Sequence, residues 1–190
     1  MKPVSEKNLA ARLDQLNERI ASACRASGRS SEAITLIGIS KTKPAEDVAA
    51  AHALGLKNFG ENYLQEASGK IDALEGLAAT WHYVGNIQSN KTKEVAKYFD
   101  WVHTVDRNKI AQRLNAQCPA DKIIQVLIQV NIDEDPNKGG CSPGETLGLA
   151  QPMMLLPRIQ IRGLMTILSK DSMPRDSYES VAQLFTAIAA

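Results

Sequence analysis

An α/β fold of parallel strands, specifically a (β/α) barrel of the TIM type, is what the sequence predicts, and three observations carry that prediction. Short runs rich in β-branched and aromatic residues alternate with amphipathic helical stretches along the chain, the pattern of parallel strands joined by right-handed crossovers. The first strand runs into Ser40-Lys41-Thr42-Lys43-Pro44, which lacks the glycine-rich phosphate turn of an open doubly wound sheet. The strand ends carry Lys41, Glu61 with Asn62, Asn86 with Gln88, Asp106, Asn131 and Met165 in turn. A barrel places functional groups at the C-terminal ends of many strands, and so accounts for polar residues at so many of them.

Leu9, Leu13, Leu16, Ile20 and Cys24 recur at steps of three and four, so they form the apolar stripe of a long first helix that ends near Gly28 and caps or flanks the barrel. The apolar run 34–40 reads as a fully buried strand. Pro44 presets helical φ for a helix over 46–54, and Gly55 can take the left-handed conformation that stops it. A second strand over 57–60 leads through Gly60 to a helix over 63–77, with Asn62 as its cap and Tyr63 opening its apolar face. In the strand 81–85, alternation sets His82 and Val84 on one face and Trp81 and Tyr83 on the other. Asn90 looks like the cap of a helix over 91–99 whose lysines are solvated. Strands over 101–105 and 123–130 bracket a helix over 109–117. Ser142-Pro143-Gly144-Glu145 is a capping box with proline at the first helical position, opening a helix over 143–150. A sixth strand over 159–165 precedes a helix begun at Asp176-Ser177-Tyr178-Glu179, and no strand follows it.

With 190 residues, 44% hydrophobic and 23% charged, the chain suits a single globular domain with a real core. A net charge of +1 gives no global electrostatic reason for a nucleic-acid or membrane-surface partner. Cys24, Cys118 and Cys141 form no CxxC pair and have no matching histidine spacing for zinc, so reduced thiols and a cytoplasmic location are expected. His52 and His103 are read as structural, since neither has a second histidine or carboxylate at metal-ligand spacing. The polar N-terminus and the lack of an apolar run of roughly 18 residues argue against a signal peptide or membrane span.

Four positions have chemistry as well as a bland reading. Lys41 is either a solvated end charge or, partly desolvated at a barrel mouth, a neutral amine able to attack an aldehyde and form a Schiff base. Lys43 would strengthen the cationic field around it. Asn62 either caps its helix or points an amide at a ligand, and His82 either lines a pocket or is a hydrogen-bonded core residue. The acidic loop 131–140 lacks the ligand spacing of a calcium loop. It reads as a flexible functional loop in which Lys138, beside two glycines, is either a solvated loop lysine, the default from pattern alone, or one that swings towards a ligand.

Taken together and in order, SKTKP, FGENYLQEA, WHYVGNIQSNK, VHTVDR with AQRLN, QVNIDEDPNKGG and IRGLM closely resemble the pyridoxal phosphate homeostasis protein family, from about Asp14 to Met165. The resemblance implies a fold like the N-terminal barrel of alanine racemase, with pyridoxal 5′-phosphate (PLP) held at the C-terminal face. It implies that Lys41 carries the cofactor as a Schiff base, that Asn62 and His82 lie near the ring, and that Met165 faces the pocket. Lys138 matches the family's loop lysine, for which a part in handing over cofactor has been proposed. The implied role is a non-catalytic, monomeric PLP carrier that serves intracellular PLP homeostasis and supplies PLP-dependent apoenzymes.

The sequence also departs from the family pattern. The family's final segments, with a Ser-Met-Gly-Met-Ser strand end and an Arg-x-Gly-Thr turn that bind the phosphate, do not occur here. About six strands are visible where a closed barrel needs about eight. The expectation is one PLP-binding domain over 1–190 that lacks the C-terminal segments, with weakened phosphate binding and exposed edges on the first and sixth strands. Two alternatives stand beside the carrier: a PLP-dependent racemase-like enzyme, and a truncated fragment with weak or no PLP binding. Racemisation requires a second base on the opposite face of the substrate, which alanine racemase draws from a further domain and a partner subunit.

Overall fold

A computed structural model describes residues 6–189, which form six strands and seven α-helices in alternation. The chain divides into two compact units, one up to Trp81 and one from His82 onward.

In the first unit, α1 (Glu6–Ser27) ends where Gly28 turns left-handed at φ 66°, and Arg29 N–H closes the helix on Cys24 C=O at 2.9 Å. Strand β1 (Ile37–Ile39) is shorter than expected and is not fully buried, for Ile39 is 50% exposed. The apolar run had suggested a doubly covered strand, but β1 is first in the strand order and has only β2 beside it. Helix α2 (Ala45–Ala53) has Pro44 as N-cap and Glu46 and Asp47 in its first turn, where carboxylates favour the helix dipole. Gly55, at φ 99°, stops it as expected. Strand β2 (Asn58–Glu61) runs parallel to β1 with Ile39 opposite Gly60. Helix α3 (Leu64–Ala73) follows, and Thr80 N–H then bonds to Lys57 C=O at 2.8 Å, setting the start of β3 (Thr80–Tyr83) beside the start of β2. Trp81 packs on Phe59 with ring centroids 5.8 Å apart.

The second unit holds the end of β3, then β4 (Trp101–Val105), β5 (Ile124–Gln129) and β6 (Ile159–Met165), each parallel to its predecessor. Four consecutive residues of β4 are buried, which requires cover on both faces and explains why this strand shows no polar alternation. Helices α4 (Thr92–Tyr98), α5 (Asn108–Gln117), α6 (Thr146–Met153) and α7 (Pro174–Ala189) complete the unit. Val95, Ile110, Leu114 and Met153 from three of these helices are almost completely buried, as are Val102, Val126 and Ile128 from the strands. Strand β6 is mostly half-exposed and carries a register shift against β5, with Gly163 at φ 150°.

The local punctuation is partly as expected. The Glu145 carboxylate accepts from the Ser142 N–H at 2.9 Å while the Ser142 side chain accepts from the Glu145 backbone, the capping box ahead of α6, and the Ser142 hydroxyl also donates to that carboxylate at 2.7 Å. Asn90, by contrast, caps nothing: it lies inside a 3-10 turn (Ser89–Lys91), and Thr92 Oγ1 bonds back to Ser89 C=O at 2.9 Å. Asn62 is not the cap of α3 either. That position is Tyr63, which makes no side-chain cap bond and is 57% exposed rather than starting an apolar face.

Candidate functional site

The ladder between β1 and β2 continues one residue past β1, with Ser40 N–H donating to Gly60 C=O at 2.9 Å. The chain then reverses, because Lys43 N–H returns to Ser40 C=O at 3.0 Å. Lys41 and Thr42 are therefore the central residues of a four-residue turn. Thr42 stands at φ 62°, the left-handed conformation that the third position of a type II turn demands and that glycine usually supplies. Lys41 sits at the apex and is exposed. The expectation that it is partly desolvated is thus corrected: β1 holds the turn, and the residue at its apex is exposed.

Beneath the apex lies a group of charges that sequence reasoning missed. Lys70 Nζ donates to Ser40 C=O at 2.7 Å, to Glu61 Oε1 at 2.5 Å and to Glu66 Oε1 at 3.1 Å. Ser40 Oγ donates to Glu61 Oε1 at 2.6 Å, and Thr42 N–H donates to Glu66 Oε1 at 2.5 Å. The Lys70 and Glu61 side chains are 4% and 0% exposed, and Glu66 is 32% exposed. Buried charges survive only when paired and hydrogen-bonded, and Lys70 meets that requirement with three acceptors. Glu61 Oε2 is buried without a hydrogen-bond partner. Glu66 and Lys70 are an i, i+4 pair on α3 and were legible as such. Glu61 looked like a strand-end polar group, and nothing in its spacing showed that it turns inward. Asn62, half-buried, follows β2 at the register position that Lys41 holds after β1.

In the second unit His82 is buried on β3, and its Nδ1 is 2.9 Å from Nε2 of His103 on β4. The register that sets His82 opposite Trp101 brings His103 within reach, and the Trp101 ring lies 5.6 Å from that of His82 in a near-stacked arrangement. His103, read as structural with no second histidine at metal-ligand spacing near it, is buried and has a histidine partner across the strands. Burial, and then the neighbouring His103, lower the His82 pKa to about 4, and burial lowers that of His103 to about 4. Both rings are neutral at pH 7, so the contact is one N–H donating to the other ring's lone pair.

The loop after β5 is braced rather than free. Asn131 takes Asp135 N–H on Oδ1 at 3.1 Å and donates Nδ2 to Asp135 C=O at 2.8 Å, while Gln129 Nε2 holds Gly139 C=O at 2.8 Å. Lys138, half-buried, donates its N–H to Asp135 C=O at 3.0 Å. These bonds brace the backbone of the loop that carries Lys138. Asp133 ties it to the chain after β6, accepting Ser169 N–H at 2.7 Å and Ser177 Oγ at 2.6 Å. Met165 ends β6 half-buried, its C=O accepting Val130 N–H at 2.9 Å. Lys41 and Asn62 thus share one edge of the first unit, whereas His82, Lys138 and Met165 lie at or after strand ends in the second. Among the described residues no three histidine, cysteine or acidic side chains are grouped to hold a metal.

A sequence profile of the family described as Alanine racemase, N-terminal domain matches residues 11–190. The pyridoxal phosphate homeostasis protein of Pseudomonas aeruginosa is 46% identical over 176 residues, covering 92% of this chain and 74% of that protein. The one from Escherichia coli K12 is 43% identical over 186 residues, covering 96% of this chain and 80% of its own. Among solved structures, PipY of Synechococcus elongatus with PLP bound superposes with a TM-score of 0.75 at 30% identity, over 91% of this chain and 83% of that one. An alanine racemase from Corynebacterium glutamicum, 14% identical, shares the fold with a TM-score of 0.70 over 96% of this chain and 50% of its own. The alternation of parallel strands and helices is as the sequence predicted, and the chain belongs to the pyridoxal phosphate homeostasis protein family, with the fold of the alanine racemase N-terminal domain.

Proposed function

We propose that this chain binds PLP through a Schiff base on Lys41 and holds it as a non-catalytic cytoplasmic carrier, available to PLP-dependent apoenzymes. The observation that carries the reading is the position of Lys41: an exposed primary amine at the apex of a hydrogen-bonded turn at the C-terminal end of β1. The names of its relatives and the PLP-bound state of PipY support it. The residues fit the aldehyde end of the cofactor. An accessible amine can reach a carbonyl carbon, Lys43 adds positive charge two residues on, and Asn62 offers an amide at the same register.

The cofactor supplies an aldehyde when bound. Lys41 Nζ would be the group that holds it, as a Schiff base that water can reverse, so the cofactor would be stored rather than consumed. His82, Met165 and Lys138 are assigned to the cofactor on the family resemblance, Lys138 to its transfer. The domain is taken as one PLP-binding barrel over 1–190. No described helix is long and apolar enough to cross a membrane.

The test is PLP titration followed by borohydride reduction and peptide mass analysis. A pyridoxyl adduct on Lys41, absent from Lys41→Ala, is the expected result. Loading unchanged in Lys41→Ala would end the proposal, and exchange of an amino-acid Cα proton at enzymatic rates would end its non-catalytic part.

A further inference from the structure

The charges beneath the turn invite a role of their own, because they bond to the residues on either side of Lys41 and not to Lys41 itself. Ser40 C=O has two lone pairs, one taken by Lys43 N–H in closing the turn and the other by Lys70 Nζ. The Thr42 N–H points away from the turn's own hydrogen bond and meets Glu66 Oε1. Thr42 is a β-branched residue held at φ 62°, a strained conformation that persists only where surrounding contacts impose it. The Glu66 carboxylate, bonded to the Thr42 N–H, is placed to hold it there. Lys70 bonds Glu66 at 3.1 Å, Glu61 at 2.5 Å and the turn carbonyl at 2.7 Å, so one ammonium joins α3, the end of β2 and the turn. If Thr42 relaxed to negative φ, the turn would open and the Lys41 stem would leave its present direction.

We propose that Lys70 and Glu66 are positioning residues for Lys41: they clamp the turn 40–43 so that its apex amine is presented in one orientation to an incoming aldehyde. This rests on the reading of Lys41 as the PLP-bearing residue. Neither clamp residue is assigned contact with the cofactor. The clamp's effect is to reduce the conformational search of the amine.

The experiment uses the full chain with PLP as the probe. Glu66→Ala is the principal variant, since Glu66 is 32% exposed and its removal leaves the Lys70–Glu61 pair intact. We expect PLP affinity and loading rate about tenfold lower, the equivalent of one charge-assisted hydrogen bond. Glu66→Gln, which keeps an acceptor oxygen, should retain most of both. Adding Thr42→Gly to Glu66→Ala should restore part of the loss, because glycine takes positive φ without strain but leaves the turn freer than in the wild type. Without PLP, exchange of the Thr42 amide hydrogen should be slow in the wild type and fast in Glu66→Ala, while far-UV circular dichroism and the urea midpoint report whether the fold is intact. Lys70→Met should weaken loading at least as much. If the wild type loads PLP on Lys41 but Glu66→Ala loads equally well, or Thr42→Gly rescues nothing, the clamp is refuted while the binding reading stands. If the wild type fails to load on Lys41, the binding reading itself has failed, yet the amide-exchange difference still decides whether the turn is clamped.

Discussion

Gly139 and Gly140 are adjacent, identical in sequence terms, and opposite in what they tolerate. A Cβ on Gly140 would lie 2.7 Å from Asn131 N, 2.9 Å from Val130 C and 3.0 Å from Gln129 O, and its φ is 123°. All three atoms are backbone at the end of β5. They are tied to the returning loop by Cys141 N–H to Gln129 C=O and Asn131 N–H to Cys141 C=O, both 2.9 Å. Relief therefore requires opening the Val130–Cys141 bridge. Backbone strain of about 1–3 kcal/mol and overpacking of about 1–3 kcal/mol give roughly 2–6 kcal/mol for Gly140→Ala. A Cβ on Gly139 meets only side-chain atoms, the Gln129 amide at 3.4 Å and Asn86 Oδ1 at 3.7 Å, so Gly139→Ala should cost under about 1 kcal/mol. Urea unfolding of both variants beside the wild type measures this, and with a slope of about 2 kcal/mol/M the Gly140→Ala midpoint should fall by about 1 M or more. Equal midpoints for the two variants, or a larger drop for Gly139→Ala, would refute the reasoning that this loop is held by backbone contact.

Three further outcomes follow from the same geometry. His82 and His103 have folded pKa values of about 4 against 6.5 unfolded, so the unfolded chain binds more protons below pH 6.5. The stability contributed by the neutral pair is present above pH 6.5 and is lost as pH falls towards 4; urea midpoints at pH 7 and pH 5 should show the drop, and His103→Gln should flatten it. The Asp133 carboxyl is held below its usual range by Ser177 Oγ and Ser169 N–H, so its contribution is present above the ordinary aspartate pKa and is lost on further acidification. Asp133→Asn should speed proteolysis within 131–140 at neutral pH, and unchanged digestion would count against that tether. Ser142→Ala, which leaves Glu145 its backbone N–H partner but removes the hydroxyl at 2.7 Å, should cost about 1 kcal/mol by urea unfolding.

The strand–helix alternation was legible because each strand is short, apolar and bounded by turn residues: β4 and β6 were placed at 101–105 and 159–165, as the structure has them. What failed was whatever depended on neighbours distant in the chain. The run 34–40 carries the apolar signal of a buried strand, yet only three of its residues are strand and Ile39 is exposed, since burial depends on what lies beside β1 and not on β1 itself. Asn62 and Asn90 had the chemistry of caps, but the backbone placed the helix starts elsewhere, at Tyr63 and Lys91. His103 looked solitary because its partner is 21 residues away, a separation that parallel register closes and sequence spacing does not reveal. Of the candidate site, the strand-end positions of Lys41 and Asn62 could be read from the chain, but the exposure of the amine could not.

The charges under Lys41 bear on why a core would hold them at all. Side chains of similar volume and no charge are often neutral or even stabilising in place of a buried ion pair, so Lys70 and Glu61 are a poor choice if compactness is the aim. An apolar pair there could not offer an N–H donor to the Ser40 carbonyl, nor could an apolar residue at 66 give the Thr42 N–H an acceptor. Those two bonds keep a threonine in a glycine's conformation. Glycine at 42 would remove the need for the carboxylate but would also leave the turn freer to move. A strained residue under a fixed clamp gives less freedom than an unstrained residue under none, and an amine that must meet an aldehyde carbon benefits from having fewer orientations to lose.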